Sequence, residues 1–332
     1  MAKINVRSPY YITVSALNLT QCDMELFIYE GVQTTDRGAS KYNIQSIAYN
    51  DFVTFEISEL VRDYVTSDTV VYVDYRLKNY ISGVAGSYGS YVQLTAFNGY
   101  GYFEDGVNPL NEKMALISNS KMLIKSNETI NIPVDSTLAT TINYYSDGVL
   151  VDTETPPAII LSSDIIFYAS SIVDGIDSIE VTDGINVETI SVEQIEECLN
   201  DVYKLIFINK FGASQKLWFF KKSSLTLTTK EEKYKRNIIS RGGYDSKSHV
   251  QKILKKQGNE KITLNSGFYP EENNEVFRQL LLSDEVWIEI NSQVLPINIS
   301  SSSFQFKTQL NDKLINYTIE AEYAFDKINN IA

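Results

Sequence analysis

Side chains able to do chemistry are few and scattered in this chain. The single histidine, His249, stands in YDSKSHVQK with no cysteine beside it and no HxxxH partner, so the usual spacing of a zinc site is missing. A histidine also serves serine nucleophiles, but no GxSxG elbow occurs, and GASQK around Ser214 lacks the second glycine. The nearest approach to a calcium loop is DGIDSIEVTDG, with Asp174, Asp177 and Asp183. It lacks the alternating ligands and closing Glu of an EF-hand and reads as acidic turns between strands. Neither GxGxxG nor a Walker lysine loop is present. Asp and Glu number 42, so a hydrolase reading stands only on the chance that folding pairs two carboxylates at glycosidase separation. Cys22 and Cys198 form no CxxC motif and suggest no disulfide framework. The residues therefore predict no catalytic group, no cofactor and no metal: a protein that is not an enzyme.

Charge is organised where chemistry is not. From Ser126 to Tyr203 there is no Lys or Arg among 15 Asp and Glu, whereas Lys204 to Lys261 holds 15 basic and 4 acidic residues. Complementary blocks of this kind suit an acidic face on one copy meeting a basic face on its neighbour. The expected interface members are Lys221, Lys222, Lys233, Lys235 and Arg236. Aromatics among these lysines also suit stacking on nucleic acid. A net charge of −13 opposes general affinity for phosphates, and no sequence-specific nucleic-acid binding is expected.

The elements that would position these groups are strands. The 22 Tyr, with abundant Thr, Ile and Val, favour them, and the 332 residues suffice for two or three cores. We expect a mainly β, multidomain protein of sandwich-like or barrel-like domains with a few short helices. Residues 1–120 read as an N-terminal β domain: YYITVSAL, MELFIYEG, YNIQSIAY and FVTFEI alternate, a short helical stripe follows at Ile57, Leu60, Val61, Tyr64 and Val65, and TVVYVDYRL and YVQLTAFNGY flank the loop SGVAGSYGS. Residues 121–203 form an acidic, β-rich middle region, and 204–332 a C-terminal β domain with one flanking helix over about 271–282.

That helix belongs to EKITLNSGFYPEENNEVFRQLLLSDEVWIEI, Glu260 to Ile290. Ile262 and Leu264 alternate into a turn at Asn265-Ser266-Gly267, and Pro270 suits a first helical position. Val276, Phe277, Leu280 and Leu281 share a face that must be buried. Val286, Ile288 and Ile290 then alternate on a strand. No apolar run approaches the roughly 18 residues of a membrane span. The start MAKINVRSPYYITV has no apolar core of a signal peptide, which predicts synthesis and assembly in a cytoplasm.

FINKFG at Phe207–Gly212, the Glu260 to Ile290 segment and LPINISSSSFQFKTQLNDKLINYTIEAEYAFD together resemble virion structural proteins of tailed phages of Bacteroidota, the crAss-like phages included. SPYYITV and FEISELVRDYV are similar to that group as well. The resemblance covers about half the chain, most clearly from Lys204 onward, and its motifs are structural. It implies a tail, neck or collar component, such as a ring or hub subunit that forms a symmetric homo-oligomer and meets portal, ring or tail proteins in the virion. It carries over no catalytic residue. A receptor- or glycan-binding appendage is the alternative, suggested by the tyrosines and the SGVAGSYGSY loop.

Overall fold

A computed structural model describes residues 2–32, 37–66, 69–301 and 314–328. The fold is mainly β, in several sheets, with two short α-helices among the described residues. Two compact units are present, both discontinuous in sequence. One comprises Met1–Glu196, Ile206–Leu217 and Glu272–Asp284, the other Glu197–Leu205, Trp218–Glu271 and Glu285–Ala332.

The first unit opens with β1 (Ala2–Asn5), β2 (Tyr11–Ser15), β3 (Leu19–Tyr29), β4 (Tyr42–Ile47), β5 (Phe52–Glu56), α1 (Ser58–Arg62), β6 (Val70–Ile81), β7 (Val84–Tyr88) and β8 (Val92–Phe97). The sheet order is β1-β8-β6-β3-β4, with β7 pairing the outer part of β6. β2 and β5 pair with each other. Their alternating Ile12, Val14, Val53 and Phe55 share one core with Met24, Leu26, Val71, Val73 and Leu94, as two stacked β layers require. The expected stripe closes this core: Ile57, Val61 and Val65 are buried and Leu60 and Tyr64 pack against it. SGVAGSYGS is a strand rather than a loop over Val84–Tyr88. Ser82 and Gly83 both take positive φ, at 49° and 81°, which makes the two-residue turn that favours a hairpin.

The unit continues through β9 (Lys121–Lys125), β10 (Ile130–Asp135), β11 (Thr141–Ser146), β12 (Val149–Glu154), β13 (Ile166–Ser171), β14 (Ser178–Thr182) and β15 (Val187–Ile195). One sheet runs β12-β11-β14-β15-β9, and β10 pairs with β13. Ile142, Tyr144, Ile179, Val181, Ile190 and Val192 are its buried alternating set. A second core joins Val70, Tyr72 and Phe97 to Leu116, Ile165, Ile166 and Ala213.

The remaining elements are β16 (Tyr203–Ile208), β17 (Ser214–Phe219), β18 (Lys221–Lys235), β19 (Ile239–Ser240), β20 (Gly243–Tyr244), β21 (Gln251–Pro270), α2 (Asn274–Leu282), β22 (Val286–Ile290), β23 (Gln293–Ile299) and β24 (Leu314–Tyr323). Their seven-stranded sheet has the order β17-β16-β22-β23-β24-β21-β18. Ile315, Tyr317, Ile319 and Ala321 are buried in alternation, as their spacing predicts. Residues 302–313 of the final motif lie outside the described residues.

Three local expectations are corrected. Asn265-Ser266-Gly267 does not end its strand. It makes an irregularity between Asn265 and Phe268 in the pairing with β24, with Gly267 at φ 80°, so one long strand is kinked and continues. Pro270 is the last residue of β21, and a 3-10 turn at Glu271–Asn273 precedes α2. Val276, Phe277 and Leu280 are buried as expected, but the half-buried Leu281 yields its place to Gln279. Gln279 is buried because its amide donates to Ser118 Oγ at 2.6 Å and to Glu275 at 2.9 Å.

FINKFG is a folding device. The buried Asn209 amide donates to the Leu116 carbonyl at 2.7 Å and to Gln215 Oε1 at 3.1 Å. Its Oδ1 accepts the Phe211 and Ala213 N–H groups at 3.0 and 3.2 Å. Gly212 is at φ 79°, and a Cβ there would stand 2.7 Å from the Asn98 nitrogen. Both the conformation and the close approach therefore call for glycine.

Candidate interaction surface

The basic block forms a long two-stranded arm within the second unit. β18, 15 residues long, pairs antiparallel with the 20-residue β21 from Lys221↔Asn265 to Lys235↔Gln251. The root of the arm belongs to the sheet, since β21 from Lys261 to Pro270 also pairs with β24. Beyond it, every residue from Ser224 to Lys235 and from Gln251 to Lys256 is exposed. A small hairpin of β19 and β20 turns at Arg241-Gly242, with φ of 50° and 79°.

Its side chains are an unusual mixture for a solvated ribbon. Residues 221–257 carry eleven Lys and Arg against three Asp and Glu. Among them Leu225, Leu227, Tyr234, Ile253 and Leu254 are exposed. Leu227 leans across Gly258, where a Cβ would come within 3.1 Å of its Cδ1. Glu231 bridges Lys233 at 2.8 Å and Lys256 at 2.9 Å. The two ammonium groups hold its carboxyl down at about 2. A ribbon exposed on both faces buries little of its own, so it is held by its ladder and such cross-strand pairs.

The five expected interface residues all lie on this arm, in two groups. Lys221 and Lys222 are at the root, where Lys221 pairs with Glu197 at 2.9 Å and lowers that carboxyl. Lys233, Lys235 and Arg236 are twelve or more positions beyond Lys221, about 40 Å away at about 3.3 Å per residue. Lys235 and Arg236 make no ion pair among the described residues, although the Arg236 N–H extends the ladder to the Val250 carbonyl at 2.7 Å. The sequence reading missed the return strand, with Lys252, Lys255 and Lys256 and the apolar Ile253 and Leu254. Its available signal was KEEKYKR mirrored by QKILKKQ about a glycine turn.

Other candidate groups have structural partners or stand alone. Asp183 accepts the Ile185 and Asn186 N–H groups, which lowers its carboxyl, and Asp177 accepts the Asp147 N–H at 2.7 Å. Among the described residues no three His, Cys, Asp or Glu are placed to hold a metal. His249 is exposed at the far end of the arm. The Ser214 N–H donates to the Tyr168 hydroxyl at 2.9 Å. Cys22 is buried and Cys198 exposed, both free. Among the described residues no helix is long and apolar enough to cross a membrane.

No protein-family model matches the chain, and comparison with curated proteins gives no match.

Proposed function

We propose that this chain is a structural subunit of a tailed-phage virion, of the tail, neck or collar ring or hub type, assembling with copies of itself and with neighbouring virion proteins. The observation that carries the reading is the arm. Exposed leucine, isoleucine and tyrosine side chains on a ribbon with no layer beneath it among the described residues would gain burial from another chain. A heterologous surface of this kind generates a ring when the rotation between subunits closes. The β-rich sheets and the resemblance of the FINKFG and C-terminal motifs support the same reading, and FINKFG acts here as a folding device. The virion assignment is tested by labelling purified phage particles with antibody against the chain. Label at the neck or tail is expected; particles free of the chain by mass spectrometry refute it.

A receptor- or glycan-binding appendage draws support from one feature, a cleft of about 640 Å³ lined by Arg7, Tyr10, Tyr11, Tyr102, Phe103 and Asn108. Tyr11 and Phe103 offer exposed aromatic faces there. The Asn108 amide in its lining is already engaged: Nδ2 donates to the Asn5 and Ser8 carbonyls at 2.8 and 2.9 Å. The assembly reading is therefore preferred, and a glycan array with Phe103→Ala as control separates the two.

A further inference from the structure

We propose that the outer part of the arm of one copy docks on the acidic end of the β11–β12 hairpin of a second copy. The proposal rests on the assembly reading and names its contact. The donor surface is Lys233, Lys235 and Arg236 with Tyr234, Ile253 and Leu254.

The receiving surface follows from asking which acidic groups of residues 126–203 remain uncommitted. Many are used at home. Glu188 accepts the Met114 and Ala115 N–H groups, Glu154 accepts the Tyr144 hydroxyl, and Glu193 pairs with Lys121. Asp147 and Asp174 are exposed, and neither carboxylate has a partner among the described residues. They meet at one end of the sheet. Asp177 receives the Asp147 N–H at 2.7 Å, and a Cβ on Gly175 would lie 3.3 Å from Ser146 Oγ. Beside them Val149 is 64%, Leu150 52% and Ile172 86% exposed. β12 is also an edge strand, paired with β11 alone among the described residues, so its outer main-chain groups are open to another strand.

Charge and apolar area thus match on both sides. Size sets how the contact is made. Even the whole arm, about 40 Å long and two strands, about 10 Å, wide, offers about 400 Å² per face. A standard interface takes about 800 Å² per partner, so the receiving copy must clasp the ribbon rather than touch one side. Opposite charges steer that encounter, and salt screens them over about 8 Å.

The test uses light scattering of full-length protein at low salt. The arm variant is Lys233→Glu, Lys235→Glu, Arg236→Glu. The hairpin variant is Asp147→Asn, Asp174→Lys, which leaves Asp177 in place to cap the turn. Circular dichroism checks each fold, and the neutral Lys233→Gln, Lys235→Gln, Arg236→Gln variant should fall between wild type and the arm variant. Each charge variant alone should assemble about tenfold more slowly or worse, within the range of electrostatic steering. A mixture of the two should recover, because the acidic arm then meets, in trans, a hairpin end relieved of both aspartates and carrying one ammonium group. Wild-type rates in both variants would overturn this contact while leaving the assembly reading intact, as would impaired variants that do not rescue each other. A wild type that stays monomeric overturns self-assembly and the contact together.

Discussion

Replacing Asn209 by alanine removes the side chain that closes the turn between β16 and β17. Four hydrogen bonds end on it, at 2.7, 3.1, 3.0 and 3.2 Å. Gln215 Nε2 still donates to Asn119 Oδ1, but the buried Gln215 Oε1 loses the Asn209 amide as donor. The Leu116 carbonyl and the Phe211 and Ala213 N–H groups lose the Asn209 side chain as partner. A buried group left unsatisfied costs about 1–3 kcal/mol, and with partial relaxation the sum is about 3–6 kcal/mol. That is a large share of the roughly 5–15 kcal/mol that holds a folded protein. Chemical denaturation followed by circular dichroism measures the loss, with the exposed Asn298→Ala as a control expected within about 0.5 kcal/mol of wild type. Hydrogen exchange should also show the Phe211 and Ala213 amides losing protection first. A change below about 0.5 kcal/mol in Asn209→Ala, with those amides still protected, would refute the reasoning.

Further expectations concern the core, the arm and the lone histidine. Leu280, fully buried in α2, should cost about 2–5 kcal/mol on Leu280→Ala in the same denaturation assay, through lost transfer energy plus the cavity. Gly212→Ala, at φ 79° and 2.7 Å from Asn98, should cost about 2–4 kcal/mol from backbone strain and overpacking. The Glu231 carboxyl, held at about 2 by Lys233 and Lys256, lies below its unfolded value of about 4.3. Its contribution to the arm is therefore full above that unfolded value and is lost as pH falls through the folded one. Carboxyl NMR titration should place its midpoint near 2, and an ordinary value would show the bridge absent in solution. His249→Ala should leave folding and assembly unchanged; a hydrolytic activity lost in that variant alone would count against a structural role.

Strands with one buried face were legible because burial imposes alternation: Ile12 and Val14, or Ile315 to Ala321, could be assigned from spacing alone. The outer arm has no buried face, so Lys252 to Lys256 showed no alternation to read and the return strand went unseen. Asn265-Ser266-Gly267 carries turn residues, yet pairing with β24 on both sides keeps the strand running. The burial of Gln279 depends on Ser118, 161 residues away, which no local pattern contains. Charge segregation was plain in the sequence. Its distribution was not: Lys221 pairs with Glu197 at the root, while the outer Lys235 and Arg236 stand without ion pairs among the described residues.

The most direct test of the assembly claim is the mass of the purified chain across a concentration series, by native mass spectrometry or light scattering. The full-length protein should pass from monomer to one discrete, closed oligomer. A variant in which a two-residue turn replaces Thr226–Gln257 should keep its folded sheets and remain a monomer. A wild type that stays monomeric at every concentration, or an armless variant that forms the same oligomer, would contradict the account.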